Sequence, residues 1–143
     1  MAALPDVNVL LALIYGAHAL HGRALTWMNS VAQEGDVVLC RVSQLGLLRL
    51  LNNPVAIGPD AQAGAASWTT WDALVGDPRF RFVGEPPGLQ AHLRRITSRF
   101  QHQPARWSDA YLAAFALAAN LELVTFDPAY RNVPRLRLRI LGT

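Results

Sequence analysis

The spacing of apolar and polar residues changes several times along the chain, and each change marks an element. Residues 2 to 7 form a short apolar run that reads as a strand, and 9 to 14 continue as a helix starting close to Asn8, a residue type that caps helices. From 18 to 33, Leu20, Ala24, Leu25, Trp27, Met28 and Val31 recur at roughly helical spacing until Glu34-Gly35-Asp36 interrupts them ahead of the solid apolar run 37 to 40. Ser43 is placed to cap a helix over 44 to 51, which stops at Asn52-Asn53-Pro54. Another helix is predicted over 60 to 74, with Trp68 and Trp71 three apart on one side.

In the second half, residues 79 to 83 alternate Arg-Phe-Arg-Phe-Val, the period of a strand with one face inward. Pro86-Pro87-Gly88 opens a helix reaching about residue 100, and 101 to 106 form a connection. The alanine- and leucine-rich stretch 109 to 120, capped by Ser108 or its neighbour, is the strongest helical signal. A strand is expected at 121 to 125, a turn at Asp127-Pro128, and an amphipathic strand where 135 to 140 alternate Arg-Leu-Arg-Leu-Arg-Ile. Strands alternating with helices predict an α/β fold: a mostly parallel central sheet of about five strands with helices on both faces. At 143 residues, without repeats or low-complexity linkers, one domain spanning 1 to 143 is expected.

Composition adds three points. The chain is 52% apolar and only 16% charged, so part of its apolar surface is expected to meet a partner or a second copy, and a homodimer follows naturally. Its basic balance, +3 with a pI near 9.8, comes from thirteen arginines and no lysine. That absence excludes Schiff-base chemistry, the Walker phosphate loop and receiver domains that pair a lysine with an aspartyl phosphate. Cys40, the single cysteine, lies in an apolar strand pattern and reads as a packing thiol, in keeping with a reducing compartment. The apolar stretch 7 to 14 is too short to span a membrane and has no basic leader, so a cytoplasmic protein without membrane contact is expected.

Candidate chemistry rests on Asp6, Asp109 and Asp127, each at the end of an apolar run or at a helix start. Every one has an ordinary explanation: a cap or turn acceptor for Asp6, the helix dipole for Asp109, an Asx turn for Asp127. Taken jointly they point elsewhere. A parallel sheet brings distant strand ends together, and carboxylates gathered there repel unless a cation lies between them. Oxygen ligands, with no Cys/His set at zinc spacing, select a hard ion, Mg²⁺ or Mn²⁺. His18 and His21 read as a solvated helix face, and His92 and His102 have no context.

Four islands carry a family resemblance: Leu4-Pro5-Asp6-Val7-Asn8, Val42-Ser43-Gln44-Leu45-Gly46, Arg106-Trp107-Ser108-Asp109-Ala110-Tyr111, and Leu123-Val124-Thr125-Phe126-Asp127. In this order, and over nearly the whole length, the chain resembles PIN-domain ribonucleases of the VapC toxin type. The resemblance implies a three-layer PIN-like fold and a metal-dependent endoribonuclease that serves as the toxin of a type II toxin–antitoxin pair. Asp6, Asp109 and Asp127 would be its catalytic residues and would hold Mg²⁺, or Mn²⁺, directly or through water. Asn8, Ser43, Gln44 and Thr125 would support them by hydrogen bonding. RNA, expected to be tRNA or rRNA, would meet Arg49, Arg106 and Trp107, and a cognate antitoxin would inhibit the enzyme. The chain departs from the family pattern at Gln44, where a glutamate is common. That departure leaves a second reading open, a PIN-like module that binds RNA or protein without cutting. A phosphatase built around Asp6 fits poorly, because residue 8 is asparagine where a second aspartate is needed and the phosphate-binding lysine is missing.

Overall fold

The computed structural model describes residues 1–142. Five strands form one sheet: β1 (Ala3–Pro5), β2 (Val37–Leu39), β3 (Phe80–Phe82), β4 (Glu122–Thr125) and β5 (Leu138–Ile140). All neighbours pair in parallel, in the order β3-β2-β1-β4-β5. The helices are α1 (Val7–Ile14), α2 (His21–Ser30), α3 (Arg41–Leu51), the short α4 (Pro54–Ile57), α5 (Gly64–Val75), α6 (Leu89–Thr97) and α7 (Trp107–Ala119). Among the described residues, no helix is long and apolar enough to cross a membrane.

The run of consecutive apolar residues in the central strands has a direct cause. Successive side chains of a strand point to opposite faces, and here both faces are covered. Ala3, Val37, Leu39 and Val124 enter a core with α1, α2, α3 and α5, where Leu10, Trp27, Leu47 and Trp71 meet. Leu4, Val38 and Leu123 enter the opposite core, filled by Leu89 of α6 and by Leu112 and Phe115 of α7. The edge strands have less apolar cover: β5 keeps the alternating pattern, whereas in β3 Phe80 is buried and Phe82 is exposed at the sheet edge, so the inward face expected for 79 to 83 is only partly formed. On the β5 edge Arg139 pairs with Glu122 of β4 at 2.9 Å.

The expected α/β layering is therefore present, with an all-parallel sheet, but several local details differ. Asp6, not Asn8, occupies the cap position of α1, while Asn8 lies exposed within the helix. Helix α3 starts three residues before residue 44 because the chain already turns helical after Cys40, so Ser43 is a buried helix residue instead of a cap. Its hydroxyl lies 3.3 Å from the Cys40 sulfur. Ser108 does not cap α7 either, since a 3-10 turn over Pro104–Arg106 runs directly into that helix. Helix α5 begins at Gly64, as Pro59 and a preceding 3-10 turn consume the residues before it. Trp71 is 5% exposed and Trp68 49%, so the two do not share a buried face. His18 lies in a turn and accepts from the Leu20 amide, and His21 contacts the Ala12 carbonyl at 2.7 Å, so neither stands on a purely solvated face. The final strand begins at Leu138 because Arg135 adopts φ +66°, which extended backbone cannot include.

Candidate active site at the carboxyl end of the sheet

The strand order reverses at β1, which is flanked by β2 on one side and β4 on the other. Beyond the carboxyl ends of the strands at such a switch point, the connections diverge to opposite faces and leave a crevice. Asp6 follows β1 directly and Asp127 follows β4 by two residues, while Asp109 lies in the first turn of α7. The fold thus carries all three sequence-predicted acids to one place.

Asp6 is held firmly. It is 6% exposed; Oδ1 accepts the Val7 amide at 2.7 Å and Oδ2 accepts the Thr125 hydroxyl at 3.0 Å. Thr125, fully buried at the end of β4, accepts in turn from the Asp127 amide at 3.0 Å, so one hydroxyl ties Asp6 to the strand that carries Asp127. Asp127 uses Oδ1 to accept the Ala129 amide at 2.8 Å, which starts a 3-10 turn over Pro128–Asn132. That turn swings Tyr130 back beneath the acids, where it is 4% exposed.

The electrostatics are those of a site in which Asp6 lacks a counter-charge. Burial pushes the Asp6 carboxyl up to about 6, and the nearby charge of Asp109 adds to the effect more than that of Asp127, against the lowering pull of its two hydrogen bonds. Asp109 is raised too, first by burial and then by Asp127, while Tyr130 and the Arg106 guanidinium ease its charge. Burial and all three carboxylates hold the Tyr130 phenol firmly protonated. Its hydroxyl leans toward Asp109, yet among the described residues no acceptor stands in hydrogen-bonding geometry to it. A buried hydroxyl left without a partner costs about 1–3 kcal/mol, a deficit that clusters where something is meant to bind.

The other predicted residues are placed less centrally. Gln44 accepts a hydrogen bond from Arg41 and lines a separate cavity near the β3 edge with Trp71 and Phe82. There the Arg41 guanidinium lies 5.0 Å from the Phe82 ring centre, so its charge and the amide are both satisfied locally. Ser43 contacts Cys40, and Asn8 and Arg49 are exposed. Arg106 is exposed beside Asp109, and Trp107 packs edge-on against Phe100 at 5.8 Å between ring centres. Two contributors escaped sequence reading. Tyr130 was hidden because only the 3-10 turn after Asp127 returns it to the acids. Gly46 looks like a flaw in α3, yet a side-chain carbon there would stand 2.7 Å from Val7 Cγ2, so its absence lets α3 close against the residue that follows Asp6.

The PIN domain family pattern matches residues 3–136. The chain belongs to the PIN-domain family. Ribonuclease VapC41 of Mycobacterium tuberculosis is 37% identical to this PIN domain over 143 residues, covering 97% of this chain and 98% of that protein. Ribonuclease VapC44 of the same species is 32% identical over 127 residues, covering 89% and 87%. Among solved structures, VapBC-1 from nontypeable Haemophilus influenzae superposes with a TM-score of 0.70 at 14% identity, over 99% of this PIN domain and 98% of that chain. At that identity the likeness speaks for the fold.

Proposed function

We propose that this PIN domain is an endoribonuclease cleaving RNA phosphodiester bonds, and that it acts in the cytoplasm as the toxin of a type II toxin–antitoxin pair. The observation that carries the reading is the buried Asp6 carboxylate, held by Val7 and Thr125 beside the half-buried Asp109, with no cation among the described residues paired to it. Full-length relatives named as VapC ribonucleases support the same activity.

The donor set fits a hard divalent ion, Mg²⁺ or Mn²⁺. Asp6 and Asp109 supply charged oxygen, and among the described residues Asp127 uses only Oδ1 as an acceptor, leaving Oδ2 available. Among the described residues, no three acids, histidines or cysteines are gathered closely enough to enclose an ion by themselves. Mg²⁺ retains several waters and takes only one or two carboxylates from a protein. When bound, such an ion lowers the pKa of water and offsets charge on a phosphate.

The chain's own residues do the remaining work. Thr125 and the Val7 amide fix both oxygens of Asp6, so its remaining lone pairs keep one direction. Tyr130 fills the base of the site and keeps a protonated hydroxyl near Asp109, able to donate to an incoming oxygen. Arg106, beside Asp109, offers the phosphate backbone a positive charge without entering the acid cluster. Trp107 supplies an exposed ring for a base. Exposed apolar side chains such as Trp68, Leu45 and Val55 are the kind of surface that an antitoxin or a second copy covers.

The test uses antitoxin-free protein with a mixed tRNA and rRNA pool and Mg²⁺ or Mn²⁺, alongside EDTA. Discrete fragments should form, vanish with EDTA, and fall at least about 100-fold in the Asp6→Asn, Asp109→Asn double variant. Undiminished cleavage by that variant would refute the assignment of the acids. No cleavage despite intact Mn²⁺ binding would replace the nuclease with a non-cutting binding module.

A further inference from the structure

A second group of unspent polar side chains lies beside the acids. A cavity of about 370 Å³ opens next to Asp109, between the end of α6, the approach to α7 and the turn after β4. Phe100 and Val133 contribute to its apolar walls, and Phe100 is steadied by its edge contact with Trp107. Around these walls stand Arg99, Arg106, Gln103 and Asn132. Neither arginine belongs to an ion pair among the described residues, and the two amide side chains have no protein partner there.

Cavities that hold small ligands run from about 300 to 1,000 Å³, so this one has room for a single nucleoside and not for a stacked run. Its chemistry is two-ended: guanidinium groups line the cavity while carboxylate lies at its border. A ligand that carries phosphate on one side and reaches the acids on the other satisfies both ends. Ribonucleic acid does this, and its unstacked bases are read by apolar surfaces and by side chains that both donate and accept. A basic peptide would be repelled by the two arginines.

We infer that this cavity receives one unstacked base of the RNA strand, flanking the phosphate to be cut, and that it sets the base preference of cleavage. Phe100 and Val133 bound the base, Gln103 and Asn132 read its polar edge, and Arg99 and Arg106 hold the neighbouring phosphates. The inference rests on the ribonuclease reading above and deepens it.

Two measurements test it separately. Cleavage of a randomised single-stranded RNA with Mn²⁺, mapped by sequencing, should show one strongly preferred base at a fixed distance from the cut. In Asn132→Ala or Gln103→Ala that preference should drop about five- to tenfold, with Mn²⁺ affinity unchanged. An identical base preference at a uniformly lower rate would overturn the inference. In parallel, the Asp6→Asn protein is titrated with labelled RNA oligomers differing at one base, read by fluorescence anisotropy. Binding should discriminate between bases, and Asn132→Ala should weaken the discrimination about five- to tenfold; equal affinity for all bases, or an acidic peptide binding the cavity more tightly than any oligomer, would overturn it. Failure of the wild-type protein to cut any RNA would count against the nuclease reading alone, because the binding measurement still decides the base site.

Discussion

Asp6 and Asp77 occupy opposite electrical surroundings within one small protein. Asp77, in the turn before β3, faces Arg79 in a forked contact, with Nη2 2.7 Å from Oδ2 and Nε 3.1 Å from Oδ1. The same guanidinium donates through Nη1 to the Met28 and Val31 carbonyls at 2.9 and 3.1 Å, closing the end of α2. Those bonds hold the Asp77 carboxyl below its usual range. Asp6 also has two hydrogen bonds, but burial and neighbouring acids dominate and push it up to about 6. An acid completed by its own chain fastens structure. An acid surrounded by other acids, at a switch point of the sheet, is complete only when something else arrives.

The largest way to break this contrast is pH. The Asp6 carboxyl rises from an ordinary 3.8 to about 6 on folding, so the folded state binds the proton more tightly than the unfolded one. Its contribution is most favourable below about 4 and is lost as pH rises through 6, a cost of about 3 kcal/mol at neutral pH. In EDTA, urea unfolding at pH 5 and 7.5 should therefore show wild-type stability falling relative to Asp6→Asn by about half that figure, because the other half is already lost between 3.8 and pH 5. Mn²⁺ at pH 7.5 should restore it. Asp77 works with the opposite sign: its lowered carboxyl stabilises above the unfolded value and loses that effect as pH falls. A wild-type curve parallel to that of Asp6→Asn would remove the claim that Asp6 lacks a counter-charge.

A second prediction concerns the scaffold under Asp6. Gly46→Ala places a carbon 2.7 Å from Val7 Cγ2 and should force α1 and α3 apart, costing about 1–3 kcal/mol. Loss of cleavage should exceed what that destabilisation explains, because Val7 supplies the amide that fixes Asp6. Chemical denaturation read beside turnover separates the two. If stability and activity stay at wild-type levels, the close approach at Gly46 is irrelevant.

The smallest effect sharpens the comparison. Tyr130→Phe removes a buried hydroxyl without a partner and keeps the ring, so metal-free protein should gain about 1 kcal/mol in thermal or urea unfolding while cleavage falls. A loss of stability would show that the hydroxyl is already satisfied inside the protein, as Asp77 is.

Most of the fold was legible in the sequence because its signals are local. The alternation of apolar runs with turn residues located the five strands, and the solid run at 37 to 40 marked a strand covered on both faces. Helix starts were less legible. Cys40 precedes α3 with no side-chain cap, and a 3-10 turn feeds α7, so no capping residue announces either. The tryptophans misled for a similar reason, since α5 starts later than its composition suggests and turns Trp68 outward.

The candidate site divides in the same way. Sequence by itself determined that Asp6, Asp109 and Asp127 sit at strand ends or a helix start, and that no lysine or zinc-type ligand set accompanies them. Both follow from residue identity and periodicity over a few positions. Only tertiary structure decided that Thr125 would hold Asp6 across 119 positions of chain, that Gln44 would spend its amide on Arg41, and that Tyr130 would return beneath the acids. Such contacts depend on which strands become neighbours, and strand order is settled by how two cores fill on opposite faces of the sheet. No spacing along the chain encodes that.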